Sequence, residues 1–351
     1  MKTTKVLGIC GAQGALLFSF KRDSNYRVIG NFEPRGMFHT PREEQWKSNF
    51  YGIPFWKLYT DMIEEIKGTE IDIIVGSPSC GHSSMFSYSR KKSLGEPKED
   101  PTLNYYLRAV KELTPRVWLM ENLPQLLKSI PIREWKEKFP DYEFITHCYS
   151  VSDFGNSQRS RKRLVLIGVR KDCLELKANF ERVYRVNKPK LFGELYKKRR
   201  SKINHTEANG KVLSIYDSRL LPVKKNLTVR EVRKLWKTDF KDEYKWPMPG
   251  TKMKTLPGVY RNRKDAYPLT ARPSSRQFNH KGSPMGLEEY RLIMGFPEAF
   301  RVYFPENRRR VATDRKRNYW LNKGRITLTK GAVYEIGKWA KLCSDRAFDM
   351  V

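Results

Sequence analysis

The sequence predicts an α/β protein, a parallel sheet wrapped by helices, with a smaller basic lobe inserted late in the chain. Three observations lead there. Over the first half, short apolar β-type runs alternate with amphipathic segments, the pattern of successive strand–helix units. From about Leu174 to Asp265 that alternation gives way to irregular, basic sequence punctuated by Pro and Gly. Periodic structure resumes near Tyr267 and closes on a helical segment. The chain has 351 residues, 39% of them hydrophobic and 13% aromatic, which is enough to bury a sizeable core and too apolar for a disordered chain.

In chain order, Lys5–Cys10 reads as a strand and Ala15–Lys21 as a helix, followed by a strand at Tyr26–Asn31. Leu58–Lys67 has helical spacing, and Ile71–Val75 is a continuous apolar run of the kind buried on both faces of a parallel sheet. Thr102–Leu113 is a helix and Val117–Met120 a strand. Tyr142–Cys148 and Arg163–Val169 are two further strands. Beyond the irregular stretch, helices are expected at Gly286–Met294 and Gly331–Leu342. The predicted domains are an α/β unit over 1–173, an inserted recognition lobe over 174–265, and a return to the first unit over 266–351. No internal repeat or low-complexity tract interrupts this organisation.

Composition then narrows the function. No run of 18 apolar residues exists, so a membrane-spanning helix is not expected. Met1-Lys2-Thr3-Thr4-Lys5 leads into the first strand without a signal-peptide pattern. The five cysteines (Cys10, Cys80, Cys148, Cys173, Cys343) are odd in number and scattered, with no CxxC pair, which argues against a disulfide framework or a zinc site. A reduced, intracellular protein without a metal is expected. The net charge of +31 exceeds what solubility asks for, and it is segregated. Residues 174–265 hold 25 basic and 10 acidic side chains, and residues 301–330 hold 10 and 2. Such a field attracts polyanions. The runs Lys197-Lys198-Arg199-Arg200 and Arg308-Arg309-Arg310 lack the apolar stripe of a membrane-surface helix, so nucleic acid is the expected partner.

Four segments carry chemistry. Gly8, Gly11 and Gly14 cluster between the first strand and the first helix, where a ligand can approach the backbone. Glu33, about 20 residues further on, ends the second strand and suits ribose hydroxyls; a plain turn and a surface carboxylate would look the same. Gly76-Ser77-Pro78-Ser79-Cys80-Gly81-His82-Ser83-Ser84 follows the buried strand. A cysteine there, in a Gly/Ser loop beside basic charge, is placed to react as its thiolate. His82, two residues away, reads as a loop histidine. Glu121, in Met120-Glu121-Asn122-Leu123-Pro124, ends the next strand on the same sheet edge as Cys80, although alone it reads equally as a helix-capping acid. In Gln158-Arg159-Ser160-Arg161-Lys162-Arg163, alternate arginines share one face at the start of a strand, suited to phosphate or base contacts.

Taken in order, these segments resemble the DNA cytosine-5 methyltransferases over about Lys5 to Ala340. Gly11, Gln13 and Gly14 are similar to the family's S-adenosylmethionine loop, Glu33 to its ribose-binding acid, and Asp61 to the acid that holds the adenine amino group. Pro78-Ser79-Cys80 resembles the nucleophile motif and Glu121-Asn122-Leu123 the glutamate motif. Asp153-Phe154-Gly155-Asn156-Ser157-Gln158 with Arg161 and Arg163 resembles the Gln/Arg motif. Pro268-Leu269-Thr270-Ala271 and Gly286–Pro297 resemble the segment after the recognition domain, and Leu328–Val333 the last motif. There are departures. Ser79 stands where the family has proline, and Gly81 and Ser83 stand where it has Gln and Phe. One extra residue precedes the arginines, leaving a choice of register between Arg161 and Arg163. Thr329-Lys330-Gly331-Ala332-Val333 replaces Gly-Asn-Ser/Ala-Val.

The resemblance implies a Rossmann-like S-adenosylmethionine-dependent sheet with a smaller target-recognition domain, acting on double-stranded DNA as a monomer. It implies that Cys80 adds to C6 of a flipped-out cytosine, Glu121 holds or protonates N3, and Arg163, with Arg161, contacts the cytosine carbonyl and a phosphate. Gly11, Gln13, Gly14, Glu33, Asp61, Pro78, Lys330 and Ala332 would line the cofactor. Two alternatives stay open. Lys330 near the cofactor would suit carboxy-S-adenosylmethionine and carboxymethyl transfer; the altered residues around Cys80 would suit an inactive DNA-binding homologue. The resemblance also implies a cytoplasmic setting, in a prokaryotic cell or a virus-infected host.

Overall fold

The computed structural model describes residues 3–11, 14–34, 39–79, 101–154, 161–182, 258–259, 277–278, 295–297, 299–301 and 331–348. Its centre is a seven-stranded sheet: β1 (Thr4–Ile9), β2 (Tyr26–Phe32), β3 (Phe55–Trp56), β4 (Ile73–Gly76), β5 (Val117–Asn122), β6 (Tyr142–Ser150) and β7 (Lys162–Arg170). The spatial order is β3-β2-β1-β4-β5-β7-β6. The helices are α1 (Phe18–Lys21), α2 (His39–Asn49), α3 (Tyr59–Glu65), α4 (Pro101–Leu113), α5 (Leu126–Ser129), α6 (Ile132–Lys138), α7 (Lys177–Glu181) and α8 (Gly331–Phe348). Two-residue strands β8 (Gly258–Val259) and β9 (Gln277–Phe278) pair with each other apart from the main sheet.

The apolar runs that identify the strands are continuous because helices cover both faces. Along β4 and β5 every residue is buried, and the two faces alternate with period two. Ile73, Val75, Val117 and Leu119 join the cluster that holds Trp339, Ala340 and Cys343 of α8. Ile74, Trp118 and Met120 join Tyr106, Ala109 and Val110 of α4 and Trp135 of α6 on the other face. Gly168 on β7 makes room for the Trp118 indole, since a Cβ there would lie 2.2 Å from its Nε1. No helix among the described residues is long and apolar enough to cross a membrane.

The expected α/β sheet is present, parallel over its larger part and antiparallel at one end. β1, β2, β3, β4 and β5 pair in parallel, but β7 runs antiparallel to both β5 and β6. No helix crosses over between β6 and β7 among the described residues, so β7 returns alongside its predecessor rather than repeating the crossover that keeps strands parallel. The helix expected from Ala15 begins only at Phe18. Ahead of it Gly14 and Leu17 donate to Gly11 and Gly14 carbonyls in tight three-residue steps, with Gly14 at φ +90°. Helix α2 and strand β3 were not expected: α2 carries Trp46 as its one large apolar side chain, and β3 is only two residues long. The closing helix runs to Phe348, past the expected Leu342. Residues 171–181 are helical, with Leu176 and Phe180 buried in the core beside α8. The helix expected at Gly286–Met294 lies outside the described residues.

Candidate active site

The reversal of β7 is what assembles the site. Glu121 and Asn122 close β5, and in the antiparallel register they face Val165 and Leu164, so the start of β7 lies beside the end of β5. Arg161 and Arg163 therefore reach the same sheet edge as the ends of β1, β2 and β4. In a parallel strand they would stand at the opposite edge.

Glu121 is buried, and two side chains meet its two carboxylate oxygens. Ser77, one residue past β4, donates its hydroxyl to Oε2 at 2.6 Å. Arg163 Nε approaches Oε1 at 2.8 Å, and its Nη1 donates to the Lys162 carbonyl at 2.7 Å. Charge-assisted bonds of this kind orient a carboxylate firmly. Of the two registers left open for the arginines, Arg163 is the one bonded to Glu121, while Arg161 is buried just ahead of β7.

The peptide that leads from β4 toward position 80 is tied on several sides. Ser77 N–H donates to the Cys10 carbonyl at 3.0 Å, joining the ends of β4 and β1. The buried Pro78 accepts from Asn122 Nδ2 at 3.3 Å, and Ser79 N–H donates to Thr102 Oγ1 at 2.7 Å. Thr102 lies in the first turn of α4. Gly76 lets the strand approach that helix, for a Cβ there would sit 2.4 Å from the Tyr106 ring. Complete burial pushes the Tyr106 phenol well above its ordinary value.

The turn after β1 is shaped from below by Asn31, fully buried on β2. Its Oδ1 accepts the Gly11 N–H at 3.0 Å, and its Nδ2 meets no partner among the described residues. Gly8 and Gly11 leave the space for that amide, since a Cβ on either would come within 2.4–2.5 Å of Oδ1. Cys10, at the strand end, takes the left-handed φ of +56° and donates its N–H to the Phe32 carbonyl at 2.7 Å. Glu33 follows directly on β2; it is buried and its N–H is held by the Trp56 carbonyl at 2.9 Å. Asp61 stands exposed in the first turn of α3, beyond the end of β3, which is followed at once by Lys57 and Leu58.

Among the residues singled out from sequence, Gly11, Gly14, Glu33, Pro78, Glu121, Arg161 and Arg163 lie at one edge of the sheet. Cys80, Gln13 and Lys330 lie outside the described residues, as do the loop 81–100 and most of the recognition stretch; Ala332 falls in the first turn of α8. Sequence reading missed Asn31, Ser77 and Thr102. Asn31 looks like a polar break in an apolar strand and Ser77 like a turn residue. Thr102 is 23 residues from its partner. The signal for Asn31 was the pair of glycines opposite it, which need a neighbour to explain them.

With this geometry in place, comparisons with known proteins agree on a direction. The model of the C-5 cytosine-specific DNA methylase family matches residues 42–313. The type II methyltransferase M.Bpa9945I of Bacillus paralicheniformis is 30% identical over 140 residues, 36% of this chain and 31% of that protein. M.PspPI of a Psychrobacter species is 26% identical over 179 residues, 43% of this chain and 42% of that protein. The chain thus spans less than half the length of these curated relatives. Among solved structures, the Entamoeba histolytica methyltransferase EhMeth superposes with a TM-score of 0.62 at 13% identity, over 100% of this chain and 99% of that one, a likeness of fold.

Proposed function

The chain belongs to the C-5 cytosine-specific DNA methylase family, and on that premise we propose that it transfers a methyl group from S-adenosylmethionine to C5 of a cytosine flipped out of duplex DNA, through a covalent adduct at Cys80. The observation that carries the reading is the buried Glu121 carboxylate at the end of β5, gripped by Ser77 and Arg163 beside the peptide that leads to position 80.

The residues at the ends of β1 and β2 suit such a cofactor. A buried acid at Glu33 matches hydroxyl donors, and Nδ2 of Asn31, which meets no partner among the described residues, is a buried donor at the Gly11 turn. Glu33 would hold the ribose and Asp61 the adenine amine, with Gly11, Gln13, Gly14, Pro78, Lys330 and Ala332 around them. Bound there, the cofactor supplies an electrophilic methyl group. The chain's own residues make cytosine able to take it. The Cys80 thiolate adds to C6 and pushes electron density to C5, which is otherwise a poor nucleophile. Glu121 meets N3 and stabilises the charge that develops on the ring. Arg163, with Arg161, contacts the cytosine carbonyl and a backbone phosphate. After transfer, the C5 proton passes to water, and the electrons of that C–H bond form the C5–C6 double bond and expel the Cys80 thiolate, restoring the aromatic base and the free cysteine.

The basic stretches 174–265 and 301–330 supply phosphate contacts and so the affinity for DNA, falling steeply with salt. The domain division at 174 and 265 belongs to this proposal, as does action as a monomer. The test is product mass. The protein is incubated with duplex DNA and S-adenosylmethionine, in parallel with carboxy-S-adenosylmethionine, and the digested nucleosides are weighed. A cytidine heavier by one methyl group, lost in Cys80→Ala with salt-dependent DNA binding retained, is the expected result. Unchanged turnover in Cys80→Ala would sink the assignment. A carboxymethyl product would make Lys330 a selectivity residue, and DNA binding without either product would identify an inactive reader.

A further inference from the structure

The amide that precedes the proposed nucleophile is held by a side chain from a different element. Ser79 N–H donates to Thr102 Oγ1 at 2.7 Å. Thr102 itself is well anchored, because α4 buries Tyr106, Ala109 and Val110 against the sheet. Its carbonyl lies 3.9 Å from Cys10 Sγ, on the cofactor-side turn, and the Cys10 carbonyl takes the Ser77 N–H. Thr102 and Cys10 thus bracket the peptide ahead of position 80 between α4 and β1. Backbone chemistry makes this bond informative. A proline at position 79 would have no N–H to donate and would fix φ through its ring. A serine keeps the N–H and allows a wider range of φ than proline, so a restraint from outside can act on it.

Resting on the reading of Cys80 as nucleophile, we infer that Thr102 is a positioning residue for it. Through the Ser79 amide, Thr102 fixes the peptide from which Cys80 departs and supplies the restraint that a proline ring would build in. Acting through that amide, it is expected to bear on the chemical step rather than on binding.

The test pairs amide hydrogen exchange with a double-mutant cycle on the full chain. Thr102→Val keeps the branched shape and deletes the acceptor. The Ser79 amide is expected to exchange about fivefold faster in that variant, the loss of one ordinary hydrogen bond. Turnover is expected to fall about three- to tenfold, with KM for DNA and cofactor unchanged. Thr102→Ser, which keeps the hydroxyl, restores both readouts and keeps the test decisive if Ser79→Pro does not fold. In the Ser79→Pro background the donor is gone, so Thr102→Val is expected to cost less than about twofold. Equal losses in both backgrounds would assign Thr102 to the stability of α4 and overturn the inference. An unchanged Ser79 exchange rate in Thr102→Val would also overturn it. Exchange is read without substrate, so it decides whether the tie exists even if no methyl group is transferred.

Discussion

The two ends of the sheet each bury a carboxylate beside an arginine, yet the pairs are built differently. At the start of β4, Asp72 accepts the Lys5 N–H at 2.8 Å, while its own N–H and carbonyl bond Lys5 and Val117. Its arginine, Arg116, stands off at 3.9 Å, is shared with Glu175 at 4.0 Å, and lies over the Phe348 ring. At the other end, Glu121 is met at 2.6 and 2.8 Å by two side chains, Ser77 and Arg163. Asp72 is woven into main chain and can change partners only by unpicking strands. Glu121 can exchange Ser77 or Arg163 for a ligand atom by a rotation about χ angles. An acid tied to backbone is an anchor; an acid tied to side chains is available for chemistry.

Substitutions at the two ends should therefore separate activity from stability. The largest effect is expected for Glu121→Gln, which keeps shape and loses the charge. Methyl transfer should fall by about 10²- to 10⁴-fold, the range for an acid–base group, while unfolding free energy changes by about 1 kcal/mol or less. Asp72→Ala should do the reverse. Leaving the Lys5 amide without its acceptor costs about 2 kcal/mol in denaturant unfolding, and turnover per folded molecule should stay within about twofold. A loss of turnover in Asp72→Ala at unchanged stability would erase the distinction.

What was legible in the sequence follows the same division. Strands with continuous apolar runs, such as Ile73–Val75 and Val117–Met120, announce themselves because both faces are buried. Glu33, Glu121 and the Gly11 turn could be placed because they stand at the ends of strands read from the sequence. The direction of β7 could not be read, since an apolar run carries no sign of which way it points, and with it went the reason Arg163 meets Glu121. Helix α2 and the two-residue β3 were lost because neither has enough periodic apolar residues to set a pattern. Ser77, Asn31 and Thr102 were lost because each matters only through a partner distant in the chain.

The proposed cofactor side offers a third and smaller contrast, because it is held by fit rather than by charge. Gly11→Ala drives a Cβ to 2.5 Å from Asn31 Oδ1, a clash worth about 1–3 kcal/mol if the amide cannot yield. Affinity for S-adenosylhomocysteine, read by calorimetry, should fall about tenfold. Asn31→Ala alone gives up the Gly11 hydrogen bond at about 1 kcal/mol. Combined, the two should cost less than their sum, because removing the amide removes the clash. Strict additivity would mean that the turn is held by something other than Asn31.

The smallest expected effect lies away from the site, on edge strand β6. His147 Nε2–H donates to the Phe180 carbonyl at 2.8 Å, and its ring contacts Tyr149 and Trp339. Burial lowers its pKa below 6.5, against weaker opposing effects from the Phe180 carbonyl and Glu181. A histidine whose folded value is depressed binds fewer protons folded than unfolded, so stability rises with pH through that interval. Its contribution is complete above about 6.5 and is lost as pH falls through the folded value. Asp23 beside Lys341, Glu43 beside Lys57 and Asp172 beside Arg170 are held below their ordinary 3.8 to 4.5, so their losses come at lower pH. Between pH 7 and 5 the thermal midpoint should drop in the native protein and drop less in His147→Gln. Methyl transfer per folded molecule at pH 7.5 should be unchanged by that substitution, because α7 and β6 contribute packing rather than chemistry. Equal slopes in the two proteins would place the acid sensitivity elsewhere.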